Sequence, residues 1–79
     1  MYIQITVDLK HYNKKPIELR LSDQHLVKNL VAMTWQTARL STAPREGFWI
    51  RVKNKDHVWT GTSTLEECGI TTGDCIEIL

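Results

Sequence analysis

Alternating hydrophobic and polar residues predict the first two strands of the chain. Every second side chain in residues 2–9 is apolar, and these are Ile3, Ile5, Val7 and Leu9. Residues 10–15 are polar, and Pro16 then opens a second alternating run that ends at Leu21. Because each run has one apolar face and a polar segment separates them, they predict an antiparallel hairpin with one face in water.

A helix is predicted next, because the apolar period changes from 2 to 3.6 after Ser22 and Asp23. Either of these two residues can cap the first turn of a helix. One stripe along the helix contains Val27, Leu30, Val31, Thr34 and Ala38. Trp35 lies beside the stripe, so we expect it at the flank of the core. Such an amphipathic helix covers one face of a sheet.

Three further strands are predicted after a loop that contains Ser, Thr, Pro and Gly. Residues 48–52 alternate, and Trp49 and Arg51 share the more polar face. The apolar face of this strand is formed by Phe48, Ile50 and Val52. A turn and a short strand over residues 57–59 follow, and the last strand covers residues 75–79.

A short helical turn is expected before the last strand. Ser63 and Glu66 match the S-x-x-E capping box, and Gly69 follows soon enough to end the helix after about one turn. The order of elements predicts an α+β fold over residues 1–79, with one main helix packed on one face of a mixed sheet.

Composition limits the function classes. The chain has 79 residues, enough for one small domain, and a formal charge of +1, which gives no overall attraction to nucleic acid or anionic lipid. The sequence contains neither a secretory signal nor an apolar run of membrane-spanning length, so we expect a cytoplasmic protein. Cys68 and Cys75 lack a metal-binding or C-x-x-C spacing, and we expect two reduced, structural thiols.

Catalytic and cofactor motifs are absent from the sequence. The three histidines, His11, His25 and His57, lie on separate elements and show no metal-ligand spacing. Four scattered glycines form no phosphate-binding loop, and no nucleophile has an evident base. We therefore expect no enzyme activity, no cofactor and no metal.

The sequence resembles the ubiquitin superfamily along its whole length, most specifically in residues 63–70 and 76–78. Further segments resemble the YukD/EsaB family of small bacterial ubiquitin-like proteins, which belongs to type VII (WXG100, or ESX-like) secretion systems of Gram-positive bacteria. These segments are residues 1–3, 8–13, 19–23, 44–47, 49–52 and 68–79. The resemblance implies a ubiquitin-like β-grasp fold.

The resemblance also implies a function. The implied function is that of a cytosolic accessory of a membrane-embedded secretion machine. Such an accessory is needed for export and docks on an ATPase, pseudokinase or channel component. The sequence printed ends at Leu79 without the Gly-Gly tail of conjugated relatives, so we expect binding without covalent attachment and without membrane insertion. A modifier or sulfur-carrier protein and a small nucleic-acid-binding regulator are the alternatives. Nucleic acid is less favoured because aromatic residues are not interleaved with the few cations.

The expected binding surface is the sheet face that the helix leaves open. By parity, Trp49, Trp59 and Leu79 lie there around Arg51, and monomers seldom leave such a patch without use. Lys53 and Lys55 on the adjoining turn would steer an acidic partner. The alternative is that both tryptophans only cover the sheet.

Overall fold

The computed structural model describes residues 1–79 and has the predicted α+β architecture. Its elements are β1 (Tyr2–Asp8), β2 (Ile17–Ser22), α1 (Val27–Ala38), β3 (Ile50–Val52), β4 (His57–Trp59) and β5 (Cys75–Ile78). The five strands form one mixed sheet in the order β2-β1-β5-β3-β4. The central strands β1 and β5 are parallel, and all other neighbours are antiparallel.

The core lies between α1 and one face of the sheet, which we call the inner face. Alternate residues of β1, β3 and β5 meet the buried stripe of the helix there. They include Ile3, Ile5, Val7, Ile50, Val52, Ile76 and Ile78 from the sheet and Val27, Leu30 and Val31 from the helix. Trp35 is also in this core, at its edge, which confirms the sequence prediction. The opposite face of the sheet is the outer face.

The start of α1 differs from the prediction. The N-cap residue is Leu26, whose backbone N–H donates to Asn29 Oδ1 at 3.1 Å. Ser22 and Asp23 lie too early to cap α1. Instead, Ser22 Oγ accepts a hydrogen bond from the backbone N–H of Gln24, and Asp23 accepts one from the N-terminal amine. Both side chains therefore stabilise the connection before the helix.

The strand predicted from residue 48 begins two residues later, at Ile50. Gly47 and Phe48 both have positive φ, of 89° and 51°. A non-glycine residue in this left-handed region costs roughly 1 kcal/mol, so the chain is bent sharply before β3. The bend still brings Phe48 against the core, which explains why its position in the apolar pattern looked like part of a strand.

The predicted capping box is present one residue further along the chain. Thr64 and Glu67 hold each other's backbone N–H groups, at 3.1 and 2.8 Å, whereas Ser63 and Glu66 do not. A single helical turn follows, in which the Cys68 N–H donates to the Thr64 carbonyl. Positive φ at Gly69 ends this turn. The short turn therefore lies where the sequence predicted it, with a different pair of caps.

Candidate functional site on the outer face of the sheet

Strand register places four side chains in one row across the outer face. Asp8 on β1 lies beside Glu77 on β5, Glu77 beside Arg51 on β3, and Arg51 beside Val58 on β4. Neighbouring residues in a sheet point to the same side. From the sheet centre to its edge, the row therefore contains two acids, then a base, then an apolar residue.

Glu77 is the best-covered member of this row, although it lies on the outer face. Its Oε2 lies 2.6 Å from His11 Nε2 and 3.2 Å from Lys10 Nζ, and its Oε1 accepts a long hydrogen bond of 3.4 Å from Arg51. Burial raises the pKa of Glu77, but the hydrogen bonds from His11 and Lys10 and the charges of Lys10 and Arg51 outweigh it and hold the pKa below its ordinary value.

The cover over Glu77 is a 3-10 turn, Lys10–Tyr12, that directly follows β1. Asp8 Oδ1 accepts the backbone N–H of Lys10 at 2.9 Å, and Asn13 ends the turn with a φ of 60°. The Tyr12 hydroxyl donates to the Leu79 carbonyl at 2.8 Å. The turn is therefore fastened to both β1 and the end of β5.

Both lysines predicted to steer a partner have partners within the protein. Lys53 forms a short ion pair with Asp8, and this hydrogen bond lowers the pKa of Asp8. Lys55 pairs with Asp74 at 3.0 Å and also donates to the Gly69 carbonyl. Two acids therefore largely neutralise the second hairpin turn, which the sequence suggested would be a free basic cluster.

The two tryptophans do not share a face, so the parity argument was wrong for Trp59. Trp59 is paired with Ile50, a fully buried inner-face residue, and packs partly buried against the core. Its ring lies 4.5 Å from that of His57, and its indole nitrogen is buried without a hydrogen-bond partner. The outward residue of β4 is Val58, which is 38% exposed and which the sequence prediction missed.

Trp49 and Leu79 lie where they were predicted, at the end of the outer face beside Arg51. The Leu79 N–H donates to the Trp49 carbonyl at 3.0 Å, so the two residues are opposite each other across β3 and β5. Trp49 is 47% exposed. Its indole lies against Gly47, where an added Cβ would approach Trp49 Nε1 to 2.6 Å. The absence of a side chain at Gly47 thus leaves room for the indole ring of Trp49.

These positions define a compact surface, which we call the Trp49 surface. It consists of Trp49, Arg51, Val58 and Leu79. Strand pairing places the three apolar residues next to Arg51, and the Arg51 guanidinium forms one side-chain hydrogen bond, a long one to Glu77. Such a combination suits recognition of a protein segment, because exposed Trp and Arg dominate interface energetics.

Other parts of the structure have few features suited to catalysis, metal binding or small-molecule binding. A shallow recess of about 200 Å³ opens beside Gln4, Thr6, Glu18 and Thr72, with one hydrophobic residue in its lining, unlike a small-molecule pocket. No group of three or more His, Cys, Asp or Glu side chains is placed to hold a metal ion. Cys68 and Cys75 are both free thiols. No helix has the length and apolarity that crossing a membrane would take.

Comparison with known structures identifies the fold. The chain superimposes on the ubiquitin of Caldiarchaeum subterraneum with a TM-score of 0.76 at 18% identity, covering 99% of this chain and 91% of the other. A de novo design based on ubiquitin gives a TM-score of 0.78 at 15% identity, with 99% and 87% coverage. At such identities the likeness shows a ubiquitin-like fold and nothing of function.

Sequence comparison goes further. The family model for YukD of the WXG100 protein secretion system matches residues 2–78. The ESX secretion system protein YukD of Bacillus subtilis (strain 168) is 57% identical over 79 residues, which cover 100% of both chains. The resemblance found in the sequence is thereby confirmed, and this chain belongs to the YukD family of WXG100 secretion system proteins.

Proposed function

We propose that the protein is a non-covalent docking module of a WXG100 secretion machine and binds a protein component through the Trp49 surface. The observation that carries this proposal is a half-exposed tryptophan, Trp49, two residues before the partly exposed Arg51 on the sheet face opposite α1. The component is an ATPase, a pseudokinase or a channel subunit with a cytosolic part. Docking there supports export of WXG100-type substrates and involves no enzyme activity.

The surface also indicates the chemistry of its partner. Trp49, Val58 and Leu79 offer apolar area, while the side chain of Arg51 is 42% exposed and keeps free N–H groups. A segment that places an apolar side chain against the tryptophan and a carboxylate on the guanidinium would satisfy both. Glu77 beneath Arg51 holds the guanidinium in position without using all of its donors.

The remaining residues of the predicted site, Trp59, Lys53 and Lys55, stabilise the elements that carry the Trp49 surface. Trp59 packs under the edge strand β4, and Lys53 fixes Asp8 at the other end of the outward row. Lys55 ties the second hairpin turn to the segment before β5 through Asp74. We therefore expect substitutions of these three residues to act through folding of the surface and to have little direct effect on the partner.

The test combines affinity purification from the native cell with an export assay. Trp49→Ala and Arg51→Glu should each stay folded and lose the co-purified component and substrate export. Truncating an interface tryptophan typically costs about 2 kcal/mol, roughly thirtyfold in affinity. Arg20→Glu is the matched control, because Arg20 lies on the same face at its far end and forms no salt bridge.

Three outcomes would contradict the proposal. Folded Trp49 and Arg51 variants that bind and export normally would show that the site lies elsewhere. A ladder of higher bands in a denaturing, reducing immunoblot would show a covalent modifier. Binding to an oligonucleotide with a steep dependence on salt would favour the nucleic-acid-binding regulator.

A further inference from the structure

A second surface lies at the end of the molecule where the first hairpin turn meets the carboxyl end of α1. We call it the basic pole, and it consists of Lys14, Lys15, Arg39 and Arg45. Two contacts bring its elements together. The Tyr12 ring meets the Trp35 ring edge-on at 4.8 Å, and Trp35 Nε1 donates to the Thr42 carbonyl at 2.6 Å. The hairpin turn, the helix end and the loop after it thus share one end of the fold.

The cations of the basic pole have no acid partner, unlike the four cations near Glu77 and the second hairpin turn; Arg20 and Lys28 also lack one but lie away from the pole on β2 and at the start of α1. Lys10, Arg51, Lys53 and Lys55 all form salt bridges with Asp8, Asp74 or Glu77. None of the four pole side chains forms a salt bridge or a hydrogen bond, and all four residues are exposed. Glu46, next to Arg45 in the chain, is an exposed acid that also forms no salt bridge, so the four cations still exceed the adjacent negative charge and the pole remains positive.

Arg45 is held in place by an aromatic ring. Its guanidinium carbon lies 5.2 Å from the centroid of the Tyr12 ring, within the range of a cation–π contact. Tyr12 is itself fixed, since its hydroxyl donates to the Leu79 carbonyl and its ring packs on Trp35. Contact with the ring restricts the Arg45 side chain yet leaves its N–H fork free, which lowers the entropy lost on binding a carboxylate.

We propose that the basic pole binds an acidic peptide segment of a protein partner, with Arg45 as the oriented carboxylate ligand and Lys14, Lys15 and Arg39 around it. The basic pole shares no residue with the Trp49 surface, although Tyr12 beneath Arg45 also donates to the Leu79 carbonyl, and the inference does not rest on the proposed function. A membrane surface fits the pole less well. The exposed large hydrophobic residues, Met1, Tyr2, Trp49 and Val58, are all outside it, so no apolar anchor accompanies its four cations.

The experiment is a titration of the full chain with a fluorescein-labelled oligoglutamate peptide at low and physiological salt. Fluorescence anisotropy measures the affinity, and amide chemical shifts in NMR spectra locate the contact. We expect shifts at residues 12–15, 39 and 45, binding that weakens with salt, and no binding of an oligoglutamine peptide of the same length.

A matched pair of double variants separates the pole from overall charge. Lys14→Glu with Arg45→Glu should weaken peptide binding at least about tenfold, as expected for loss of charge-assisted hydrogen bonds. Arg20→Glu with Lys28→Glu changes the net charge equally at exposed cations that also lack salt bridges, and should change affinity by less than about threefold. Arg45→Lys keeps the charge and should bind at an intermediate level, because a lysine lacks the planar fork.

Several results would overturn the inference. Equal losses in the two double variants, with both shown folded by circular dichroism, would mean that only net charge matters. Amide shifts confined to the Trp49 surface would move the site there. Binding to phosphatidylglycerol vesicles that requires Lys14 and Arg45, together with no binding of oligoglutamate, would make the pole a lipid site.

Discussion

His11 closes over Glu77 on the outer face of the sheet, with Nε2 2.6 Å from Oε2, so that only 2% of Glu77 remains exposed. A carboxylate in the middle of a sheet face would normally be in water. Here the turn Lys10–Tyr12 covers it, and two further cations contact it. Glu77 therefore links the first hairpin to β5 and β3 from the side opposite the core.

Replacing Glu77 should destabilise the protein measurably. We expect Glu77→Gln to lower the free energy of unfolding at neutral pH by about 1–3 kcal/mol, because a nearly buried acceptor of charge-assisted hydrogen bonds loses its charge. Glu18→Gln, at an exposed residue without a salt bridge, should change it by less than about 0.5 kcal/mol. Urea unfolding followed by circular dichroism compares the two. Equal effects would show that the contacts of Glu77 contribute no stability.

The contribution of Glu77 should also depend on pH. Its pKa in the folded protein is below the ordinary value of 4.5, so its charged form favours folding. This stabilisation is complete above the unfolded pKa and is lost as the pH falls through the folded one. The stability difference between the wild type and Glu77→Gln should therefore shrink as the pH falls below about 4.5. A difference that grows as the pH falls below that value would contradict the ion-pair account.

The capping pair before β5 gives a comparison of two adjacent residues. Thr64→Ala should lower the free energy of unfolding by about 1 kcal/mol, the usual cost of losing an N-cap side chain. Ser63→Ala should have almost no effect, because the Glu67 N–H bonds Thr64 Oγ1 and not the serine. Thr64→Ser should retain most of the stability. Thermal denaturation of the three variants decides which residue is the cap, and a larger effect at Ser63 would contradict the structure.

The pattern of apolar residues was sufficient to predict the fold, because period and buried face are local properties of a sequence. It did not predict the face of Trp59. The face of a three-residue edge strand depends on how the preceding turn sets its register with β3, and the polar residues 53–56 predict a turn without specifying that register. Ile50 and Trp59 are paired, which reverses the face that counting along the chain suggested.

The candidate site was predicted less well than the fold, because it depends on contacts between residues far apart in the chain. Lys53 and Lys55 look like free cations in the sequence, but Asp8 and Asp74 reach them from other elements. The burial of Glu77 results from a turn 66 residues earlier in the chain. The only sequence signal for it was an acid between two buried isoleucines in the central strand.

The two cysteines should react at very different rates in the folded protein. Cys68 is 5% exposed, and burial raises the pKa of its thiol to about 11, with the charge of Glu67 adding to the effect. Cys75 is only half-buried. Because the thiolate is the reactive form, a thiol reagent at pH 8 should label Cys75 quickly and Cys68 only on unfolding.

Two single variants assign the fast and the slow labelling rate to the individual cysteines. Cys75→Ala should leave only slow labelling, which becomes fast in denaturant, and Cys68→Ala should leave only the fast reaction. Two thiols should be counted after denaturation without reductant. Fast labelling of Cys68 in the native state would show that the short turn after Thr64 opens readily.

Trp49 and Trp59 form the most informative pair of variants, since they lie on opposite faces of the same edge of the sheet. Trp59→Ala should lower the free energy of unfolding by about 2–4 kcal/mol, because it removes a partly buried side chain that packs on the core. Trp49→Ala should cost less than about 1 kcal/mol, because the ring is 47% exposed. Urea unfolding of both variants gives the two values.

A third variant, Trp59→Phe, separates packing from polarity. The indole nitrogen of Trp59 is buried without a hydrogen-bond partner, and an unsatisfied buried donor costs about 1–3 kcal/mol. Phenylalanine removes that donor while keeping most of the apolar contact, so Trp59→Phe should be far closer to the wild type in stability than Trp59→Ala. If Trp49→Ala proved the most destabilising of the three, Trp49 would be part of the folded core. Its exposure could then no longer support a role in docking.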